Sequence, residues 1–194
     1  VGFVDNICNS FRILANSKVT LTFESYTAKL NMSFDPDKVG KIVNNLLSNA
    51  YKFTPDGGTI TVSLSVALGE MVNDKSNDML RISVIDSGKG ISDKEKEHVF
   101  ERFYQVDGTE MQPAGGSGIG LNLVKKFAEL HGGKVGVKDN PEGGTIFMVD
   151  IPIDDGGAAK TNAHFDSMHV APVIAKVHQG ETEQEDAEDG GSPE

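Results

Sequence analysis

Four short motifs stand in this chain in a fixed order, and together they constrain it more than any one of them alone. They are Asn45-Leu46-Leu47-Ser48-Asn49-Ala50-Tyr51-Lys52-Phe53, Asp86-Ser87-Gly88-Lys89-Gly90, Gly116-Ser117-Gly118-Ile119-Gly120-Leu121 and Gly143-Gly144-Thr145. They supply an amide-bearing helix, a carboxylate beside a glycine turn, a glycine hinge opening a second helix, and a late strand with a hydroxyl. A protein that holds ATP without a P-loop needs these parts. The chain has no Gly-Lys-Ser/Thr, and Gly-x-Gly-x-Gly does not have the spacing of the dinucleotide fingerprint.

The patterning between the motifs sets the fold class. Phe3, Val4, Ile7, Phe11 and Leu14 repeat at helical spacing and predict a helix over 2–16. Residues 19–23, 30–34, 59–67, 80–85, 134–138 and 145–153 alternate or run apolar and predict strands. Asp35-Pro36 has the N-cap and first-turn chemistry of a helix running to Phe53. Residues 69–78 are polar and predict a hairpin loop. Ser92-Asp93-Lys94-Glu95 is a capping box for a short helix reaching Phe100. Residues 101–116 have no period and predict a mobile segment. A helix over 117–130 ends at His131-Gly132-Gly133. Hairpins mixed with helices predict an α+β protein, a two-layer sandwich with about three helices on one face of a mixed, mostly antiparallel sheet.

Charge divides the chain in two. Of the net −11, ten acidic residues against Lys160 and Lys176 place −8 in residues 154–194. Residues 1–153 are predicted to be the folded domain. Residues 154–194 are predicted to be an acidic linker or tail, largely disordered, with 170–177 apolar enough for a short docked segment. No basic stripe points to nucleic acid, and no run of 18 apolar residues points to a membrane span. Val1-Gly2-Phe3 reads as a cut inside a longer protein. Cys8, the one cysteine, sits on an amphipathic helix as a small core residue; one thiol cannot staple a fold and fits a reducing compartment.

The motif residues have two readings each. Asn45, Asn49 and Lys52 lie on one helical stripe, which is either a solvated face or a site where Asn49 gives an oxygen to Mg²⁺ and Lys52 meets phosphate. Asp86 makes either an ordinary Asp-Ser-Gly turn or an acceptor for an exocyclic amine, as on adenine. Gly116, Gly118 and Gly120 open a helix whose free N–H groups suit phosphate, or form a plain hinge. Thr145 either favours its strand or bonds a base. Phe100 to Tyr104 either pack on the surface or anchor a lid over nucleotide.

Taken together, these residues resemble the ATP-binding catalytic domain of sensor histidine kinases, a group shared with chaperone, mismatch-repair and type II topoisomerase ATPases. The resemblance covers residues 1–153. Residues 45–54 are similar to its N box, 86–90 to the G1 box, 100–103 to the F box and 116–121 to the G2 box. It implies a Bergerat fold binding ATP and Mg²⁺, with Asn49 as the metal ligand. The implied nucleotide-binding set is Asn45, Asn49, Lys52, Phe53, Asp86, Gly88, Gly90, Ile91, Tyr104, Gly116, Gly118, Ile119, Gly120, Leu121 and Thr145. ATP-hydrolysing relatives carry Glu one turn before the metal-binding Asn; here Asn45 stands there, which favours phosphoryl transfer to a histidine over hydrolysis. Relatives often follow Phe-Tyr with an Arg that reaches the γ-phosphate; here Gln105 follows, and Arg102 lies three residues earlier.

None of His98, His131, His164, His169 and His178 sits in a phosphoacceptor setting, so the acceptor is expected on a helical dimerisation domain of the same parent. A response regulator or receiver domain is the expected onward partner, the latter fitting a hybrid kinase. The isolated domain is expected to be monomeric, cytoplasmic and free of membrane contact, leaving open whether the parent is anchored in the inner membrane. Two rival readings are an ATP-hydrolysing switch, against which Asn45 argues, and a non-catalytic docking module, against which Asn49, Asp86 and the glycines argue.

Overall fold

A computed structural model describes residues 1–14, 18–28, 30, 32–69, 71–72, 75–105, 117–153 and 173–174. The chain runs α1 (Gly2–Leu14), β1 (Thr20–Ser25), α2 (Pro36–Phe53), β2 (Thr59–Ala67), β3 (Met71–Val72), β4 (Lys75–Ser76), β5 (Met79–Asp86), α3 (Asp93–Lys96), α4 (Gly120–Leu130), β6 (Lys134–Asp139), β7 (Thr145–Pro152) and β8 (Val173–Ile174). Among the described residues the main sheet is ordered β6-β7-β5-β2-β1-β8. β1 and β2 pair in parallel and every other neighbour pairs antiparallel. β3 and β4 form the small hairpin expected within 69–78.

Period-two alternation decides which face is covered. Ile60, Val62 and Leu64 of β2, Ile82 and Val84 of β5, and Val149 and Ile151 of β7 are buried on one face. Helices α1, α2 and α4 lie on that face, and α2 contributes Ile42, Val43, Leu46, Leu47 and Ala50 to the core. Helix α2 starts as its sequence dictates. Asp35 is extended, its side chain accepts from the N–H groups of Asp37 and Lys38, and Pro36 occupies the first turn. The two-layer α+β architecture is therefore the one expected from the patterning. Cys8 is fully buried, and burial pushes its thiol up to about 12, as for a core residue.

The predicted strand at 30–34 does not form. Residues 32–34 are irregular, and the free edge of β1 is taken by β8 instead. Met32 packs against the core and Phe34 meets Phe3 edge-on at 5.5 Å between centroids, so the alternating apolar residues cover α1 from a loop. Helix α3 is shorter than predicted. The Ser92–Glu95 capping box is present, but helix ends at Lys96 and turns carry the chain to Phe103. The helix predicted from 117 begins at Gly120. His131 ends it as expected: Nδ1 donates to the Phe127 carbonyl at 2.7 Å, and Nε2 accepts from the Asp35 N–H at 3.3 Å, so the ring ties α4 to the start of α2. The predicted mobility of 106–116 and disorder of 154–172 and 175–194 lie outside the described residues.

Leu47 has no exposed surface and sits in the middle of α2 against the sheet. Leu47→Ala is expected to lower stability by about 2–5 kcal/mol in urea unfolding, with an unchanged slope.

Candidate functional site: a cleft between two helices at one end of the sheet

Strand β5 delivers its last residue to the covered face. Asp86 shares that face with Ile82 and Val84, so its carboxylate points under the helices and is 5% exposed. Oδ1 accepts the Gly88 N–H at 2.8 Å and the Thr145 N–H at 3.2 Å. Oδ2 makes no hydrogen bond among the described residues and is left to face the cleft. Burial raises the Asp86 pKa above its ordinary value, and the two backbone donors offset only part of that.

Two glycines hold this turn closed. Gly144 has φ +98°, and a Cβ there would sit 2.1 Å from the Asp86 carbonyl oxygen. A Cβ on Gly88 would sit 2.5 Å from the Phe53 carbonyl oxygen at the end of α2. The turn after β5 is thus pressed between α2 and the β6–β7 connection. Asn140 completes the clamp, its Nδ2 donating to the carbonyls of Asp86 at 3.1 Å and Gly143 at 2.9 Å.

The cleft encloses about 380 Å³ between α2, the turn after β5 and the start of α4. Asn45, Asn49, Lys52 and Phe53 line one wall. Asp86, Gly90, Ile91 and Thr145 form the floor and far side. Tyr104, Gly118, Ile119, Gly120 and Leu121 close the other wall. Gly88 does not line the cleft; it packs behind, on Phe53 and Asp86. Gly116 lies outside the described residues. Sequence reasoning did not mark Ser48, Lys89, Val99, Ser117, Leu123 or Phe147, which also line it. Phe147 could have been found, since it lies two residues after Thr145 on a half-buried strand and so shares its face.

The amides of α2 differ in their commitments. Asn45 Nδ2 donates to the Lys41 carbonyl at 2.7 Å, and its Oδ1 abuts Gly120, where a Cβ would come within 2.8 Å. Asn49 is half-buried and makes no hydrogen bond among the described residues. Phe103 and Gly118 join the two sides of the remaining wall: the Phe103 N–H donates to the Gly118 carbonyl at 2.9 Å. Gly118 has φ +66° and passes so close to Phe103 that a Cβ would meet its backbone at 2.7 Å. Gln105 lines the cleft, whereas the Arg102 guanidinium stacks on the exposed Phe103 ring at 4.5 Å and does not.

Among the described residues no group of three His, Cys, Asp or Glu could hold a metal on protein ligands alone. Asn49 offers one uncommitted side-chain oxygen at the cleft wall, a donor of the kind that hard cations such as Mg²⁺ accept. No helix among the described residues is long and apolar enough to cross a membrane.

Residues 34–155 match the histidine kinase-, DNA gyrase B-, and HSP90-like ATPase family. The chain is 37% identical over 159 residues to the sensor histidine kinase TmoS of Ectopseudomonas mendocina, covering 81% of this chain and 16% of that protein. It is 40% identical over 149 residues to hybrid signal transduction histidine kinase D of Dictyostelium discoideum, covering 76% of this chain and 9% of that protein. The chain therefore spans less than a fifth of either relative's length. The fold is similar to that of full-length ShkA solved in complex with AMPPNP, with a TM-score of 0.64 and 25% identity, covering 78% of this chain and 29% of that one.

Asp86→Asn separates stability from recognition. The raised pKa means the folded state keeps the Asp86 proton to higher pH than the unfolded chain does. Stability from this group is present below the ordinary carboxylate range and is lost as pH rises through that range to the folded value. The variant should therefore melt above the wild type at pH 7, with the gap closing towards pH 4. Thermal melts of both proteins across that range check this; a variant that melts lower at pH 7 contradicts it.

Proposed function

Because this chain belongs to the histidine kinase-, DNA gyrase B-, and HSP90-like ATPase family, and its curated relatives are sensor histidine kinases, we propose that residues 1–153 are the catalytic domain that transfers the γ-phosphate of ATP to a histidine on a dimerisation domain outside the chain. The observation that carries this reading is Asp86: a buried carboxylate with one oxygen pinned by two backbone donors and the other facing the cleft.

Adenine's exocyclic amine donates to Asp86 Oδ2 at the closed end, where Ile91, Leu121, Val99 and Phe147 give an apolar surface for the ring. The phosphates then run towards Lys52 and the start of α4, whose free N–H groups favour anions. Asn49 supplies the protein oxygen to Mg²⁺. That ion, when bound, neutralises phosphate charge and polarises the group being transferred.

The work of this chain is positioning and charge stabilisation. An imidazole nitrogen from outside attacks the γ-phosphorus, the bond to the bridging oxygen breaks, and ADP leaves. Asp86, the one carboxylate among the described cleft residues, is engaged by the adenine amine in this reading, which leaves no base beside the phosphates for water. Asn45 is an amide whose Nδ2 is committed to the backbone and whose Oδ1 abuts Gly120. The reading thus favours transfer over hydrolysis, and steady turnover by the isolated domain should be very slow. A response regulator or receiver domain is the onward acceptor, and hybrid kinase D is a relative with which a receiver arrangement is consistent.

Calorimetric titration of ADP and a non-hydrolysable ATP analogue, with and without Mg²⁺, tests this. Asp86→Asn turns the free acceptor into a donor facing the adenine amine, and affinity should fall roughly 10- to 100-fold. Asn49→Asp should leave metal-free binding weak and make the metal dependence steeper. Unchanged binding in both variants overturns the assignment, and no wild-type binding favours a docking role.

A further inference from the structure

The charged side chains lining the cleft, among the described residues, are Asp86, Lys52 and Lys89, which stands inside the second motif without an assigned role. Lys52 comes from the last turn of α2 and Lys89 from the turn after β5. Their Nζ atoms stand 5.0 and 5.7 Å from the centroid of the same Phe53 ring, which lies at the cleft mouth. The ring face attracts each ammonium, the two like charges repel one another, and an anion placed between them would compensate both.

The backbone leading to Lys89 is fixed beside the end of α2, the Ser87 N–H donating to the Thr59 carbonyl at 3.1 Å and the Gly88 N–H to Asp86 Oδ1 at 2.8 Å, while the Lys89 side chain itself is exposed. Glu95, the nearby carboxylate whose charge acts on Lys89, turns its Oε2 to the Ser92 N–H at 2.9 Å and the Ser92 hydroxyl at 2.6 Å. Lys89 forms no ion pair among the described residues. Gln105, on the opposite wall, brings no charge.

We propose that Lys89 donates to a phosphate of the bound nucleotide and, with Lys52, clamps the phosphate chain across Phe53. Lys89 thereby sets the preference of this site for nucleoside di- and triphosphates over the bare nucleoside. The inference rests on the reading that the cleft holds an adenine nucleotide.

Calorimetry with adenosine, ADP and AMP-PNP at two salt concentrations tests it on the wild type, Lys89→Gln, Lys89→Arg and Lys126→Gln. The last removes the same charge from an exposed position on α4 that does not line the cleft. Lys89→Gln should lose about tenfold in affinity for ADP and AMP-PNP, none for adenosine, and part of the salt sensitivity. Lys89→Arg should stay within about threefold of the wild type, and Lys126→Gln should match it. Equal losses for adenosine and ADP, or no loss for either, overturn the proposal while leaving the nucleotide reading intact. A wild type that binds none of the three overturns the nucleotide reading itself, and the proposal with it.

Discussion

The cleft depends on the hydrogen bonds from Gly88 and Thr145 to one oxygen of Asp86. They join the end of β5 to the turn after it and to the start of β7, and they fix which carboxylate oxygen faces outward. Burial opposes them by disfavouring the ionised form. A carboxylate retained under those conditions is poorly explained by stability alone and well explained by a ligand that donates to it. Gly144 and Gly88 exist to permit this packing, because a side chain at either would collide with backbone at 2.1 or 2.5 Å.

From that point the remaining walls follow from ordinary packing. Helix α2 lies on the sheet through Ile42, Val43, Leu46 and Leu47. With those residues turned inward, helical spacing carries Asn45, Asn49 and Lys52 round to the cleft wall. Helix α4 is seated beside α2 through Val124 and Ala128, with Gly120 against Asn45 at its start. Two elements distant in sequence thus converge on one end of the sheet, and helices and strands carry most of the cleft-lining residues.

Much of this was legible in the sequence because the determinants are local. Asp35-Pro36, the Ser92–Glu95 capping box and Gly132 each act within a few residues, and each does in the structure what its chemistry dictates. The strand at 30–34 misled because alternation reports burial on one side, and a loop laid over α1 shows the same alternation as a strand with no pairing partner. Gly88 was read as a ligand contact because glycine in a motif signals close approach without saying to what; here it approaches Phe53. Lys89 stands in a motif, but its place beside Lys52 arises only when the turn after β5 is folded against α2. Ser48 shares the stripe of Asn45 and Lys52 and was legible by the same helical spacing, whereas no pattern within its own segment points Val99 to the cleft.

On the proposed reading, Asp86 Oδ2 receives the exocyclic amine of adenine. Competitive titration of AMP-PNP against the inosine nucleotide tests this most directly, because inosine replaces that amine with a carbonyl oxygen and leaves sugar and phosphates unchanged. The wild type should prefer the adenine nucleotide by at least about tenfold, and that preference should collapse or invert in Asp86→Asn. Equal affinity for the two bases, or a preference that survives in Asp86→Asn, would contradict it.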